Sequence, residues 1–364
     1  MRSRAVVVVM FAAVVLLGFG SALAVAAESG QDRVIKDGRI SESSGLAASF
    51  LHPGVLWTHN DSGHPPRIFA ISRDGTTATT ITVAGEDARD WEAITSLRKP
   101  VKTGQPYIAI GDIGDNNSAH TSGRIIILPE PRNLVAQTVR PQRVIRFEYP
   151  DAPHNAEALL ADPRTGRLYV VTKDLFSSQI FVVRDSAWPG QTKGVSGLVT
   201  LELVATSTAS LITDGTFLPD GRMLLRGYDR LFLLPPPERA TNGKLTLLES
   251  VQLPEQEQGE SLTTVDDGKT ALIGSEGNRQ PVLRLDLNAL GITNAGSTTG
   301  SRNTTQSGPS PDPGEASGTG ITGSENAGEV GMFGISLNPL VAGAALGALT
   351  LLVSGIVRLA ISRR

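Results

Sequence analysis

Asp90-Trp91-Glu92-Ala93-Ile94, then Tyr107-Ile108-Ala109-Ile110-Gly111-Asp112-Ile113-Gly114-Asp115-Asn116, then Arg124-Ile125-Ile126-Ile127-Leu128: this run decides how the chain folds. A carboxylate leads into a short apolar strand, a second strand ends on an Asp in a Gly-rich turn, and a third β-branched strand follows. The phrase recurs. Its first strands are Ser44-Gly45-Leu46, Glu92-Ala93-Ile94, Glu157-Ala158-Leu159, Asp214-Gly215-Thr216-Phe217 and Glu260-Ser261-Leu262. They return every ~45 to 65 residues, the size of one propeller blade.

Second strands follow at Val55 to Asp61, Tyr107 to Asp112, Leu168 to Lys173, Met223 to Arg226 and Thr270 to Glu276. Third strands are Arg67 to Ile71, Arg124 to Leu128, Gln179 to Val183, Leu231 to Leu234 and Val282 to Leu285. Fourth strands are expected at Thr79 to Val83, Val144 to Tyr149, Leu201 to Val204 and Leu245 to Leu248. The fifth repeat has none after it. Val34 to Ile40 would supply the missing strand, closing the ring with the N-terminus and covering two sheet edges. The expectation is an all-β, five-bladed β-propeller, with six blades as the alternative if the long insert from Asp185 to Val199 hides degenerate strands. No amphipathic helix of ten or more residues interrupts 33 to 287.

The ends read differently. Arg2 and Arg4 precede an uncharged run, Ala5 to Leu17, and small residues end at Ala26-Ala27, so 1–27 reads as a signal peptide. The propeller domain is assigned 28–292. Residues 293–334, rich in Gly, Ser, Thr, Asn and Pro, form an expected disordered stalk. Residues 335–364 hold Leu340 to Val357, uncharged and just long enough to span a bilayer, then Arg358, Arg363 and Arg364. That order implies a single-pass cell-membrane protein with its ectodomain outside and its C-terminus cytoplasmic.

The chain has 33 Lys+Arg against 36 Asp+Glu. Setting aside the arginines at both ends makes the external part more acidic still, which argues against nucleic acid as a partner. There is no cysteine. Thiol catalysis, disulfides and thiolate metal sites are therefore excluded, and any metal must sit on oxygen or imidazole.

In a propeller the innermost strands line a central channel, so equivalent first positions form a ring: Ser44, Glu92, Glu157, Asp214 and Glu260. Carboxylates this close raise one another's pKa unless a cation lies among them. Hard oxygen donors suit Ca²⁺ first, then Mg²⁺ or Mn²⁺. The plainer alternative is that the acids pair with Lys173, Arg226 and Arg279. A second ring, where the second strands end, would be Asp61, Asp112, Lys173, Arg226 and Glu276, with His59, His64 and His120 nearby. Lys and Arg there would hold an anionic small-molecule substrate while an acid or His moved a proton, making Asp61, Asp112, Lys173, Arg226 and His59 the candidate catalytic residues. No P-loop, dinucleotide fingerprint, Gly-x-Ser-x-Gly or His-Glu-x-x-His occurs.

The phrases His59 to Gly63 (HNDSG), Asp90 to Ile94 (DWEAI), Gly111 to Asn116 (GDIGDN), Asn155 to Leu159 (NAEAL) and Thr172-Lys173 resemble a secreted bacterial propeller family of phytase-like esterases and TolB-like proteins. More distantly, the Ser/Glu/Glu/Asp/Glu ring is similar to that of calcium-activated nucleotidases, or apyrases, which are five-bladed propellers with a channel Ca²⁺. That resemblance implies Ca²⁺ ligation by Ser44, Glu92, Glu157 and Glu260, with Asp214 standing where those proteins have Ser. The leading expectation is a Ca²⁺-dependent hydrolase of phosphate or other anionic esters. The alternatives are a non-catalytic propeller displaying a ligand- or protein-binding face, and a lactone or sugar-ester hydrolase.

Overall fold

Five sheets, each with four antiparallel strands and three of them extended by one parallel strand, make up the computed structural model, which describes residues 29–99, 104–117, 119–184 and 197–292. All of these lie in the first of the two units into which the chain divides, 1–301 and 302–364. Each sheet is one repeat. Blade 2 runs outward through Trp91–Lys99, Gln105–Asp112, Gly123–Pro129 and Arg143–Glu148; blade 3 through Ala156–Ala161, Leu168–Thr172, Ser178–Val182 and Glu202–Ser207. The innermost strands of blades 1, 4 and 5 are Leu46–Ala48, Ile212–Phe217 and Gly259–Val265. These five strands pack against one another in ring order, and blade 5 returns to blade 1. The fold is a five-bladed β-propeller.

The period-2 pattern explains how blades stack. In Gly123–Pro129, Ile125 and Ile127 join the apolar cluster shared with blade 3, whereas Ile126 and Leu128 join the one shared with blade 1. Alternate side chains leave opposite faces of a strand, so a run apolar at every position can be buried on both. Five such clusters fill the five gaps between neighbouring blades. At roughly 25 cal/mol per Å² of apolar area buried, this stacking supplies most of the driving force.

Closure of the ring differs from expectation by half a strand. The strand that pairs with Pro281–Asp286 of blade 5 is Ser29–Val34, not Val34 to Ile40. Ile35 and Ile40 are instead buried in the cluster between blades 5 and 1, so these two side chains wedge the gap rather than alternate on a sheet. Arg33 is the latch: its Nη1 donates to the carbonyls of Gly54 at 2.9 Å, Ile71 at 3.0 Å and Ser72 at 3.1 Å, all in blade 1. Gly75 (φ +83°) lets the Asp74-Gly75 turn pass beneath, since a Cβ there would collide with the Val34 carbonyl oxygen.

The fourth strand of blade 4 also moves, to Glu249–Gln252. Lys244–Leu245 adds in parallel to blade 3, because Leu245 finds burial between blades 3 and 4 while Leu248 stays 53% exposed. Similar parallel additions, Gln137–Val139 on blade 1 and Val199–Thr200 on blade 2, cover two further outer edges. Among the described residues no helix is long and apolar enough to cross a membrane. The expected signal peptide, stalk and membrane helix lie outside the described residues, as does 185–196 of the long insert.

Candidate functional site

Antiparallel pairing brings the first residues of every innermost strand to the same end of the propeller as the last residues of every second strand. There four of the five innermost strands carry bulges. Pairing with the second strand skips Glu92 between Trp91 and Ala93, Glu157 between Ala156 and Ala158, and Glu260-Ser261 between Gly259 and Leu262. An extra residue in one strand re-aims its side chain out of the alternation. In blade 4 the skipped residue is Thr213, between Ile212 and Asp214.

One group of oxygens stands out at this mouth. Asp61, Asp90 and Glu92 bring carboxylate oxygens within 4.8 Å of one another. The last loop residues of blades 1 and 2 hold them there: Asp61 N–H donates to Glu42 O at 3.0 Å, and Asp90 O accepts from Ile113 N–H at 3.1 Å and Gly114 N–H at 3.3 Å. Gly114 is fitted against the pair, since a Cβ would lie 2.5 Å from both Asp90 Oδ2 and Glu92 Oε1. Burial pushes the Asp90 carboxyl from 3.8 up to about 6, with Asp61 and Asp112 adding repulsion. Glu92 is pushed well above the carboxylate range by burial, then by Glu157, Asp61 and Asp90. Burial raises Asp61 as well. Three hard anionic oxygens that repel one another are a fitting donor set for Ca²⁺, Mg²⁺ or Mn²⁺.

At the same mouth the protein supplies its own cation from blade 3. Lys173 Nζ lies 2.7 Å from Glu157 Oε1 and 2.6 Å from Oε2. Burial works against the ammonium, but Glu157, Glu260 and Tyr228 more than offset it and keep Lys173 protonated. The same ammonium stands 4.8 Å from the Tyr228 ring centroid. Glu260 remains above the usual carboxylate range through burial, although Lys173 pulls it down. Lys173 also pulls Asp61 and Glu92 down against their burial, but its salt bridge is to Glu157.

Other expected site residues face elsewhere. Asp214 is one residue past the bulge of blade 4, so it lies off the ring of Glu92 and Glu157. It is fully buried and accepts N–H bonds from Leu262 at 2.6 Å and Gly215 at 2.7 Å, tying blade 4 to blade 5. Arg226, also fully buried, donates to Ser261 O at 2.6 Å, Gly274 O at 2.7 Å and Gln256 Oε1 at 2.6 Å. Its burial lowers the guanidinium to about 10. No part of it reaches the mouth surface. Asp112 is buried and paired with Arg124, Nε to Oδ2 at 2.7 Å, and accepts Asp90 N–H at 3.0 Å. It positions Asp90 rather than meeting a ligand.

His59 is buried behind the wall of blade 1, edge-on to Trp91 at 6.0 Å between ring centroids, with Nδ1 donating to Asn60 O at 2.9 Å. Burial lowers it to about 4, so the ring is neutral at physiological pH. Ser44 Oγ donates to Glu276 Oε1 at 2.9 Å. His64 sits 3.1 Å from Glu42 and His120 3.2 Å from Asp115, both at the rim. Arg279 is a turn residue at φ +58°.

Asp90 and Tyr228 are the mouth residues that pattern reading passed over. Asp90 stands two places before Glu92 in the stretch quoted first, a second carboxylate at the same strand entry. It was a readable signal. Tyr228 had none, because its role follows from blades 3 and 4 being neighbours.

No protein-family model matches the chain, and no curated protein matches it by sequence. Among solved structures it is similar to a luciferin-regenerating enzyme, 10% identical, with a TM-score of 0.41 over 71% of this chain and 95% of that one. It is also similar to the Dos1 propeller, 11% identical, with a TM-score of 0.37 over 66% of this chain and 58% of that one. Neither likeness carries an argument about activity; the fold rests on the strand pairing above.

Proposed function

We propose that this propeller binds a divalent cation, Ca²⁺ first, on Asp61, Asp90 and Glu92 at its channel mouth, and uses it to hydrolyse a phosphate or other anionic ester outside the cell. The observation that carries the reading is the convergence of those three carboxylates within 4.8 Å, against Gly114. When bound, the cation would supply Lewis-acid activation of an ester oxygen. The chain's own residues do the rest. Asp90, half-buried, would serve as a ligand, and a bound cation would hold its carboxyl ionised against the burial that raises it. Lys173, fixed by Glu157, balances part of the acidic charge of the ring. The five-residue ligand ring of Ser44, Glu92, Glu157, Asp214 and Glu260 is replaced in this reading by the smaller set.

Anchorage by a C-terminal membrane helix, with a signal peptide directing the body outward, belongs to the same proposal and is supported by the sequence of the two ends. A second reading, a non-catalytic propeller that displays a ligand, is favoured by one observation: Arg226, expected as a second positive contact, is spent on blade 5.

The test is elemental analysis and Ca²⁺ titration of the purified full-length chain, beside hydrolysis of a generic phosphate ester. One bound cation, weakened in Glu92→Gln and Asp90→Asn, with activity lost to chelator and restored by Ca²⁺, is expected. Cation binding without turnover would select the display reading; no cation at all would end both metal readings.

A further inference from the structure

Innermost strands that start at the acidic mouth finish at the opposite face of the propeller, and there the ends of three of them line a cavity of about 220 Å³. Phe50 stands two residues past Leu46–Ala48 of blade 1. Ser96, Leu97 and Arg98 are among the closing residues of Trp91–Lys99 of blade 2, and Ala161 and Pro163 stand where Ala156–Ala161 of blade 3 ends. The proposed hydrolysis uses none of these residues.

The aromatic wall is braced from the neighbouring blade. Glu130, 2% exposed and next after Gly123–Pro129, accepts Phe50 N–H at 3.2 Å, Trp57 Nε1–H at 3.0 Å and the Ser49 hydroxyl. Ser49 Oγ in turn accepts His52 N–H at 2.8 Å. A buried carboxylate of blade 2 therefore fixes the loop of blade 1 that carries Phe50, whose ring stays 44% exposed. The Arg98 guanidinium carbon stands 4.7 Å from the centroid of that ring, a cation–π contact. A ring face attracts the charge but does not replace an acceptor for the N–H groups, and Arg98 has no carboxylate or carbonyl partner among the described residues.

Asp162 also borders the cavity, but its carboxylate is spent on Arg164, which reaches Oδ1 from Nε at 3.1 Å and Oδ2 from Nη2 at 2.9 Å. What remains is the Arg98 cation beside the apolar Phe50, Leu97, Ala161 and Pro163, with the Ser96 hydroxyl, buried and without a partner among the described residues, in the same wall. A guanidinium fork matches a planar carboxylate in two parallel hydrogen bonds. It balances a monoanion, whereas the second charge of a phosphate dianion would be desolvated against apolar side chains. An apolar cavity of about 150 Å³ takes up benzene, so this one has room for a ring and its carboxyl group.

We infer that this cavity binds a small aromatic monocarboxylate, its ring against Phe50 and Leu97 and its carboxylate on the Arg98 guanidinium. The site lies at the far end of the channel from Asp61, Asp90 and Glu92 and does not depend on a cation there.

The experiment is calorimetric titration of the full-length chain in chelator, with benzoate, its uncharged isostere benzamide, and acetate as probes. Benzoate should bind about tenfold more tightly than either, because benzamide lacks the charge and acetate lacks the ring. Arg98→Gln should remove the preference for benzoate over benzamide, and Phe50→Ser the preference for benzoate over acetate. Both side chains are partly exposed, so unchanged melting temperatures are expected for both variants; should Phe50→Ser fail to fold, Arg98→Gln carries the decision alone. Benzoate that does not bind, or that binds Arg98→Gln as tightly as the unaltered protein, overturns the site. Because these titrations are run without Ca²⁺, loss of this site leaves the proposed cation site untouched, and failure of Ca²⁺ to bind leaves this site standing.

Discussion

Lys173 Nζ sits 2.6 Å from Glu157 Oε2, so the ammonium of blade 3's second strand occupies the side of the ring where a metal had been expected. Both groups are largely buried, and Glu260 shares the charge. Removing one partner of such a pair leaves an uncompensated charge in a low-dielectric site, at a cost of about 3 kcal/mol. Lys173→Met should lower stability by that order in denaturant titration. Adding Glu157→Gln should recover a substantial part, and additive losses in the double variant would show that the two residues are not coupled.

Asp112 holds the backbone of Asp90 and is itself held by Arg124, so it acts on the candidate cation site through a neighbour. Asp112→Asn should weaken Ca²⁺ binding by about tenfold, the usual scale for an outer group that orients a ligand. A direct titration that shows unchanged affinity in a folded variant would separate Asp112 from the site.

The pH dependence has a defined sign. Asp61, Asp90, Glu92, Glu157, Glu260 and Glu276 are all raised by burial, so above the ordinary carboxylate range the folded chain binds more protons than the unfolded one. Stability must then fall as pH rises, through about 6 for Asp90 and beyond. His59, lowered from 6.5 to about 4, works the opposite way over that lower window but is a single group. Melting temperature in chelator should therefore decline between about pH 5 and 8. Ca²⁺ should flatten the decline, because it favours the ionised carboxylates of the folded state. A melting temperature that climbs across this range in chelator would contradict the raised carboxyls.

Arg33 joins the closing strand to blade 1 through three carbonyls. Arg33→Ala leaves those acceptors without their buried donor and should cost roughly 2 kcal/mol or more. Lys36→Ala, on an exposed side chain three residues later, should cost little. Equal losses in chemical denaturation would mean that the latch adds nothing to closure.

Arg226→Ala should disrupt the joint between blades 4 and 5 before it touches ligand binding, since its donors end on Ser261, Gly274 and Gln256. The measurement is the order of loss. A well-folded variant with weakened ester binding would return Arg226 to the mouth.

Sequence by itself determined the blade count and nearly every strand, because runs such as Arg124 to Leu128 and turns such as Asp74-Gly75 are local signals that survive in one dimension. It also determined that the ring would be acidic at Glu92, Glu157 and Glu260. What only the tertiary structure decided was where those acids point and what neutralises them. Whether the extra residue of a bulge is Glu92 or Thr213 depends on pairing with the neighbouring strand, and a shift of one place sent Asp214 into the blade interface. Lys173 meets Glu157 across one blade, while Arg226 reaches from blade 4 into blade 5; by strand register Arg226 matches Val171, and the residue that matches Lys173 is Tyr228. Long side chains choose partners by distance in space, and distance between blades is set by packing that no single repeat contains.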